Sequence, residues 1–415
     1  MLRRIAIFVL LAAHSIVVLG QKNDSILVNS KDTIAYRYTP MPKSPSTSGG
    51  IKRNRQKISN YILNSTIDQS FDKRVDMTFA PTLYYTLSTS VGLAIAAAGR
   101  YRLDKQNRDV HASDFSVYAT ASLTGFYRVG LRGNNIFKND HQRIVYNAEF
   151  FSQPTRFWGV GYNAAMENSS LRYLASRTIV DVRFLQRVAK GLFIGAGADY
   201  NYHFGKFGGG KYASKDEFIV RLDGDRVEYR AVGVSLFVEF DTRDAVSNPQ
   251  RGLYVAAQAK MRPNGLGNME RTLWSGRLLA NYYQKIWKGA VLAIDLRGEL
   301  NSPGTPWVYN AQLGGASAMR GYYAGRFNDL CAITLQAELR QKIYKGFGAA
   351  AWGGVGNIFS SFGEFDLHKT LPTYGVGLRY GVKHNMNIRL DYGFGGRDHR
   401  GKLIHGAVFS INEAF

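Results

Sequence analysis

The chain has 415 residues, with 53 Lys and Arg against 31 Asp and Glu and a formal net charge of +22. One cysteine, Cys331, excludes an internal disulfide framework. A mean hydropathy of −0.22, with no long apolar run after residue 20, excludes a bundle of spanning helices.

The chain opens with a positive MLRR, a short apolar core IAIFVLLAAHSIVVL, and the small residues Val18 and Gly20. Residues 1–20 therefore read as a secretory signal peptide rather than an anchor, and the mature chain is expected to start near Gln21. Residues 21–74 follow as a polar periplasmic tail, with PMPKSPSTSGG and a basic cluster at Lys52, Arg53, Arg55 and Lys57. Most of it reads as linker. Ile58, Tyr61, Ile62 and Ile67 could instead line a short amphipathic helix.

From residue 75 to 415 the pattern changes to strands and turns. The 25 Tyr, 24 Phe and 44 Gly, with only 10 Pro, suit hydrogen-bonded ladders. Sixteen segments alternate apolar and polar residues, and an even count fits a bacterial barrel. The first hairpin is MTFAPTLYYT, LSTS and VGLAIAAAGRYRL. Further on, Leu292, Ile294, Leu296 and Leu300 share one face of residues 291–300, while Asp295, Arg297 and Glu299 share the other. Residues 333–342 repeat this, with Leu335 and Leu339 opposite Gln336, Glu338 and Arg340. In the penultimate strand, Ile388, Leu390 and Tyr392 oppose Arg389 and Asp391. Alternation alone fits a soluble sandwich equally well. Export, and the lack of any helical span, favour a closed transmembrane antiparallel β-barrel in the bacterial outer membrane, apolar side to lipid and polar side to the lumen.

Between residues 300 and 333 lies the longest loop between these strands, containing AQLGGASAMRGYYAGRFND. Leu313, Met319, Tyr322, Tyr323 and Phe327 are not the residues of a solvated loop. The loop is expected to pack. At the far end Phe409, Ile411 and Phe415 alternate up to an aromatic, the form of a terminal assembly signal of outer-membrane proteins.

Basic residues alternate with apolar ones along the strands instead of gathering in one motif, so no nucleic-acid partner is expected. A basic lumen and attraction to outer-membrane lipids account better for the charge. No Gly-x-Ser-x-Gly elbow, no His-Glu-x-x-His and no acidic cluster of metal spacing occurs. His399 beside Asp398 reads as a solvated loop pair. No enzyme activity, cofactor or metal is expected.

Four stretches resemble the BamA/TamA superfamily, also called bacterial surface antigen proteins: FAPTLYYTLSTSVGLAIAAAG, FWGVGYN at 157–163, FDTRDAVSNPQRGLY at 240–254, and LGGASAMRGYYAGR at 313–326. The resemblance implies a 16-strand barrel with the long loop folded into the lumen through Arg320, Gly321 and Tyr322. It implies that Arg320 bonds an inward carboxylate, the candidates being Glu338, Asp391 and Asp295. Two departures stand out. The tail is too short for even one polypeptide-transport-associated repeat, and Gly354 stands where the family often supplies an acidic partner. Asn412 also occupies the place of a kink-forming glycine. The resemblance implies outer-membrane protein assembly or polypeptide translocation, with client barrel proteins or periplasmic assembly factors as partners. The alternative is a plugged barrel with a transport or structural role.

Overall fold

The computed structural model describes residues 70–86, 90–105, 112–208, 225–245, 248–344, 346–383, 386–398, 400–411 and 413–415. The expected signal peptide and nearly all of the tail lie outside these residues, as do His399 and Asn412.

The strands in chain order are β1 (Asp76–Thr86), β2 (Ser90–Tyr101), β3 (Ser113–Ser122), β4 (Tyr127–Ile136), β5 (Gln142–Phe157), β6 (Leu171–Ala189), β7 (Leu192–Phe207), β8 (Arg226–Asp241) and β9 (Gly252–Arg262). They continue as β10 (Leu273–Trp287), β11 (Ala290–Asn301), β12 (Ala311–Leu313), β13 (Phe327–Asp329), β14 (Cys331–Tyr344), β15 (Phe347–Phe359), β16 (Leu371–Lys383), β17 (Met386–Arg397) and β18 (Leu403–Ile411). Each barrel strand pairs antiparallel with its neighbour, β11 pairs with β14, and β1 closes the barrel on β18. The pair β12–β13 stands apart as a small hairpin inside the long loop.

Alternation decides what each strand buries. In β14, Thr334, Gln336, Glu338 and Arg340 are buried while Ile333 and Leu335 are exposed. In β17, Arg389 and Asp391 are buried, and Tyr392 between them and the next inward position is exposed. The polar faces thus point inward. The outer surface carries a belt of exposed apolar side chains, among them Ile95, Val129, Val182, Leu236, Leu335 and Leu378, the last two thirds exposed. A soluble sandwich would bury such residues, whereas a lipid-facing wall exposes them.

Strand direction sorts the connections. The turn between β3 and β4, the segment between β5 and β6, the long loop and the β17–β18 loop share one end of the barrel, and residues 70–75 and 413–415 lie at the other. The described residues of the stretch FDTRDAVSNPQRGLY lie at the latter end. There Thr242 and Leu253 exchange bonds, Asp244 accepts from the amides of Gln250 and Arg251, and Arg243 forks onto Asp241 at 2.9 and 2.7 Å.

The seam differs from the other ladders. Strand β1 pairs with β2 from Asp76 opposite Arg100 to Thr86 opposite Ser90. Against β18, a single pair among the described residues, Tyr85 opposite Phe409, sets the register. Strand β18 ladders with β17 from Ile411 to Leu403.

Candidate functional site

The long loop turns back into the barrel and packs there. Its first part places Trp307, Val308 and Tyr309 against Phe157, Leu171, Phe207 and Leu273. Its second part places Leu313, Met319, Tyr322 and Phe327 against Ile358, Leu371 and Ala165. Ala165 belongs to α1 (Tyr162–Glu167), a short helix in the β5–β6 segment. That segment contains FWGVGYN, whose Gly159 and Gly161 adopt φ of 102° and 94°, and the Gly161 amide donates to the Asn328 carbonyl at 2.8 Å. The aromatic content of the loop is thus used to fill one end of the lumen.

Arg320 sits at the tip and has no solvent exposure. Its Nη1 donates to Asp391 Oδ2 at 2.8 Å. Its Nη2 lies 2.6 Å from Glu338 Oε2, an ion contact that lacks the alignment of a hydrogen bond. The guanidinium carbon stands 3.7 Å above the Trp352 ring. The Arg320 carbonyl accepts from Thr373 Oγ1 at 2.8 Å.

Gly321 follows with φ of 105°, and a Cβ there would come within 2.9 Å of the Gly393 backbone. A side chain at Gly393 would in turn meet the Arg320 carbonyl at 2.6 Å. Both glycines are required for the loop backbone to lie against β17. Tyr322 then donates to the Pro372 carbonyl at 2.8 Å and accepts from the Gly396 amide at 2.6 Å.

Three more arginines complete the cluster. Arg340 donates to Glu338 Oε1 at 2.8 Å. Arg379 donates to Glu413 Oε2 at 2.8 Å, pairs with Asp391 Oδ1, and approaches Glu338 Oε1 at 3.4 Å. Arg389 donates to Asp391 Oδ2 at 2.8 Å and to the Ala316 carbonyl of the loop at 2.7 Å. Four guanidiniums and three carboxylates therefore share one buried network, which also holds the Phe415 backbone oxygen through Arg340 at 2.6 Å. Burying charge on this scale is costly unless each charge is paired.

Asp295 corrects the expectation for its role, since it does not partner Arg320. It accepts from Asn281 at 2.6 Å, Arg297 at 2.9 Å and Gln336 at 2.8 Å. Its capacity is filled on β11, four strands around the barrel from the β17 that carries Asp391, and among the described residues it reaches the loop through Gln336, whose amide also donates to the Ser317 carbonyl at 3.0 Å. Gly354 is also explained by packing, because a Cβ there would lie 2.5 Å from Gln336 Cβ. The second carboxylate comes from β17 instead. The Phe409 and Phe415 side chains are partly buried, and the Ile411 side chain lies outside the described set.

Trp352, Arg340, Arg379, Arg389 and Glu413 were missed as site residues. The signal was available in part: Glu338-x-Arg340 and Arg389-x-Asp391 place opposite charges two apart on one inward face.

These features define a class: a sixteen-stranded barrel whose longest loop returns to a buried ion-pair network beside its closing seam. BamA from Haemophilus ducreyi, in a structure lacking POTRA domains 1–3, matches with a TM-score of 0.56 at 9% identity, over 87% of this chain and 78% of that one. CdiB from Escherichia coli matches with a TM-score of 0.54 at 9% identity, over 88% of this chain and 70% of that one. No protein-family model and no curated protein matches the chain. The likeness is one of fold.

Proposed function

We propose that the chain is exported, resides in the bacterial outer membrane, and takes part in outer-membrane protein assembly or polypeptide translocation. The exposed apolar belt supports the membrane location, and the signal-like residues 1–20 support export. The observation that carries the functional reading is the seam. Among the described residues one registered pair joins β1 to β18 where the other ladders run for most of a strand, so the seam edges are the cheapest backbone groups to lend to another chain. Client barrel proteins would pair there, and the membrane lipids would surround the belt. Separate periplasmic factors would deliver clients, and neither catalysis nor nucleic acid is required.

A second reading is a plugged barrel with a transport or structural role. The filled lumen around Trp307, Tyr322 and Arg320 favours it. A photo-crosslinking residue at Ser410, read in whole envelopes, separates the two. Capture of nascent barrel proteins supports assembly, and its loss when Tyr85 and Phe409 are replaced by a disulfide-forming cysteine pair ties the activity to the seam. Capture of stable partners alone, unchanged by the staple, supports the second reading.

A further inference from the structure

At the loop end of the barrel, a cavity of about 790 Å³ opens between the long loop, the end of β5, the start of β6 and the β17–β18 loop. Four cations line it, Arg156, Arg172, Arg326 and Lys402, with Asp398 as its one carboxylate. Asp398 is drawn into its own turn, where Oδ1 accepts from the amides of Arg400 at 3.0 Å and Lys402 at 2.9 Å. Arg156 and Arg172 face each other directly across the β5–β6 ladder. Among the described residues neither has an ion-pair partner. Like charges placed directly opposite on a sheet repel and destabilise the pair. Two exposed arginines at one rung of the ladder concentrate positive charge that a bound anion would neutralise.

Trp158 and Tyr323 form an aromatic wall of the same cavity, their ring centroids 5.2 Å apart. Arg326 lies 5.7 Å over the Trp158 ring and donates to the Ala165 carbonyl at 3.2 Å, which holds it at the rim of that wall. The volume suits a ligand of one or two sugar rings. Aromatic faces stack on the C–H faces of sugars, and a pair of cations on neighbouring strands can bind phosphate.

We propose that this cavity is a binding site for a phosphorylated saccharide, with the phosphate between Arg156 and Arg172 and the sugar against Trp158 and Tyr323. The ligand is either a glycolipid headgroup or a soluble sugar phosphate. The site stands on its own geometry and does not rest on the assembly reading. Because Gly321 and Tyr323 also line the cavity, an occupant touches the segment that carries Arg320.

The test is calorimetric titration of the full chain in detergent with glucose 6-phosphate, against glucose and inorganic phosphate. Glucose 6-phosphate is expected to bind at least tenfold more tightly than either. The double variant Arg156→Gln/Arg172→Gln is expected to lose at least tenfold, with heat-modifiable gel migration unchanged to show an intact barrel, and Trp158→Phe should weaken the sugar phosphate but not inorganic phosphate. Equal affinity for the three compounds, or an unchanged affinity in the double variant, overturns the proposal. The source is then read in nanodiscs. Competition by lipid A but not by its dephosphorylated form supports the site as one for a lipid headgroup, and undiminished glucose 6-phosphate binding in both supports it as one for a soluble ligand.

Discussion

Removing Arg320 tests whether the loop is locked. Arg320→Ala deletes the contacts to Asp391 at 2.8 Å and Glu338 at 2.6 Å and the stacking on Trp352. Breaking a fully buried ion pair from one side typically costs about 3–5 kcal/mol. Here Glu338 keeps Arg340, and Asp391 keeps Arg379 and Arg389. The carboxylates are not stranded, so about 3 kcal/mol is expected. Glu338→Ala is the harsher change, because it removes the shared partner of Arg320, Arg340 and Arg379 and leaves four guanidiniums with two carboxylates. It should cost about 4–5 kcal/mol, at the upper end of the same range. The double variant should lie close to Glu338→Ala alone, since the contact between the two residues can be lost only once. Urea unfolding of the barrel in lipid vesicles, followed by heat-modifiable migration, gives the cycle. Additive losses, within about 0.5 kcal/mol, would refute the lock and leave Arg320 a bystander among better-paired neighbours.

Other expectations concern the wall, the loop backbone and the N-terminus. Leu236 is 67% exposed on the outer face, and Leu236→Arg should cost roughly 2–4 kcal/mol if it lies near the midplane. Gln258→Arg, on the inward face of β9 beside a lumen cavity of about 570 Å³, should be mild in the same unfolding assay, and equal tolerance would mean the faces are reversed. Gly321→Ala combines a left-handed φ with a 2.9 Å approach to Gly393 and should lower stability by roughly 1–3 kcal/mol; a neutral result would place the loop tip away from β17. Mass spectrometry of the chain recovered from outer membranes should find its start near Gln21. Retention of residues 1–20, or recovery with the inner membrane, contradicts export.

The strands were legible because period two survives in single sequences wherever one face meets lipid and the other a polar interior. Residues 333–342 gave both the strand and its inward face. The loop was legible from its apolar content, since Tyr322 and Phe327 have no reason to be solvated. Which carboxylate meets Arg320 was not legible. Asp295, Glu338 and Asp391 are equivalent by alternation, and only the stagger between β11, β14 and β17 distinguishes them. Trp352 escaped for the same reason: its register opposite Glu338 brings its ring beneath the guanidinium, and register is a property of the closed sheet. The Arg156–Arg172 juxtaposition likewise depends on how β5 and β6 align.

The lock and the seam share residues, which makes one further substitution decisive between the two functional readings. Glu413 follows β18, the seam strand, and accepts from Arg379 at 2.8 Å. Arg379 also holds Asp391, which holds Arg320 and Arg389, and Arg389 holds the loop carbonyl of Ala316. An unbroken chain of charge contacts therefore runs from the loop to the end of the last strand. Loosening it at Glu413 should act first on the seam, because Asp391 and Glu338 remain to hold Arg320. Glu413→Gln keeps the shape of the side chain and removes its charge. If the barrel lends its edge to clients, this variant should raise crosslinking of nascent barrel proteins from Ser410 at a stability cost of about 1.5–3 kcal/mol, the range for a hydrogen bond to a charged group. If the barrel is a plug, stability should fall by the same amount with no change in what is captured. A rise in client capture without any loss of stability would show that Glu413 acts on the seam by some route other than the ion-pair network.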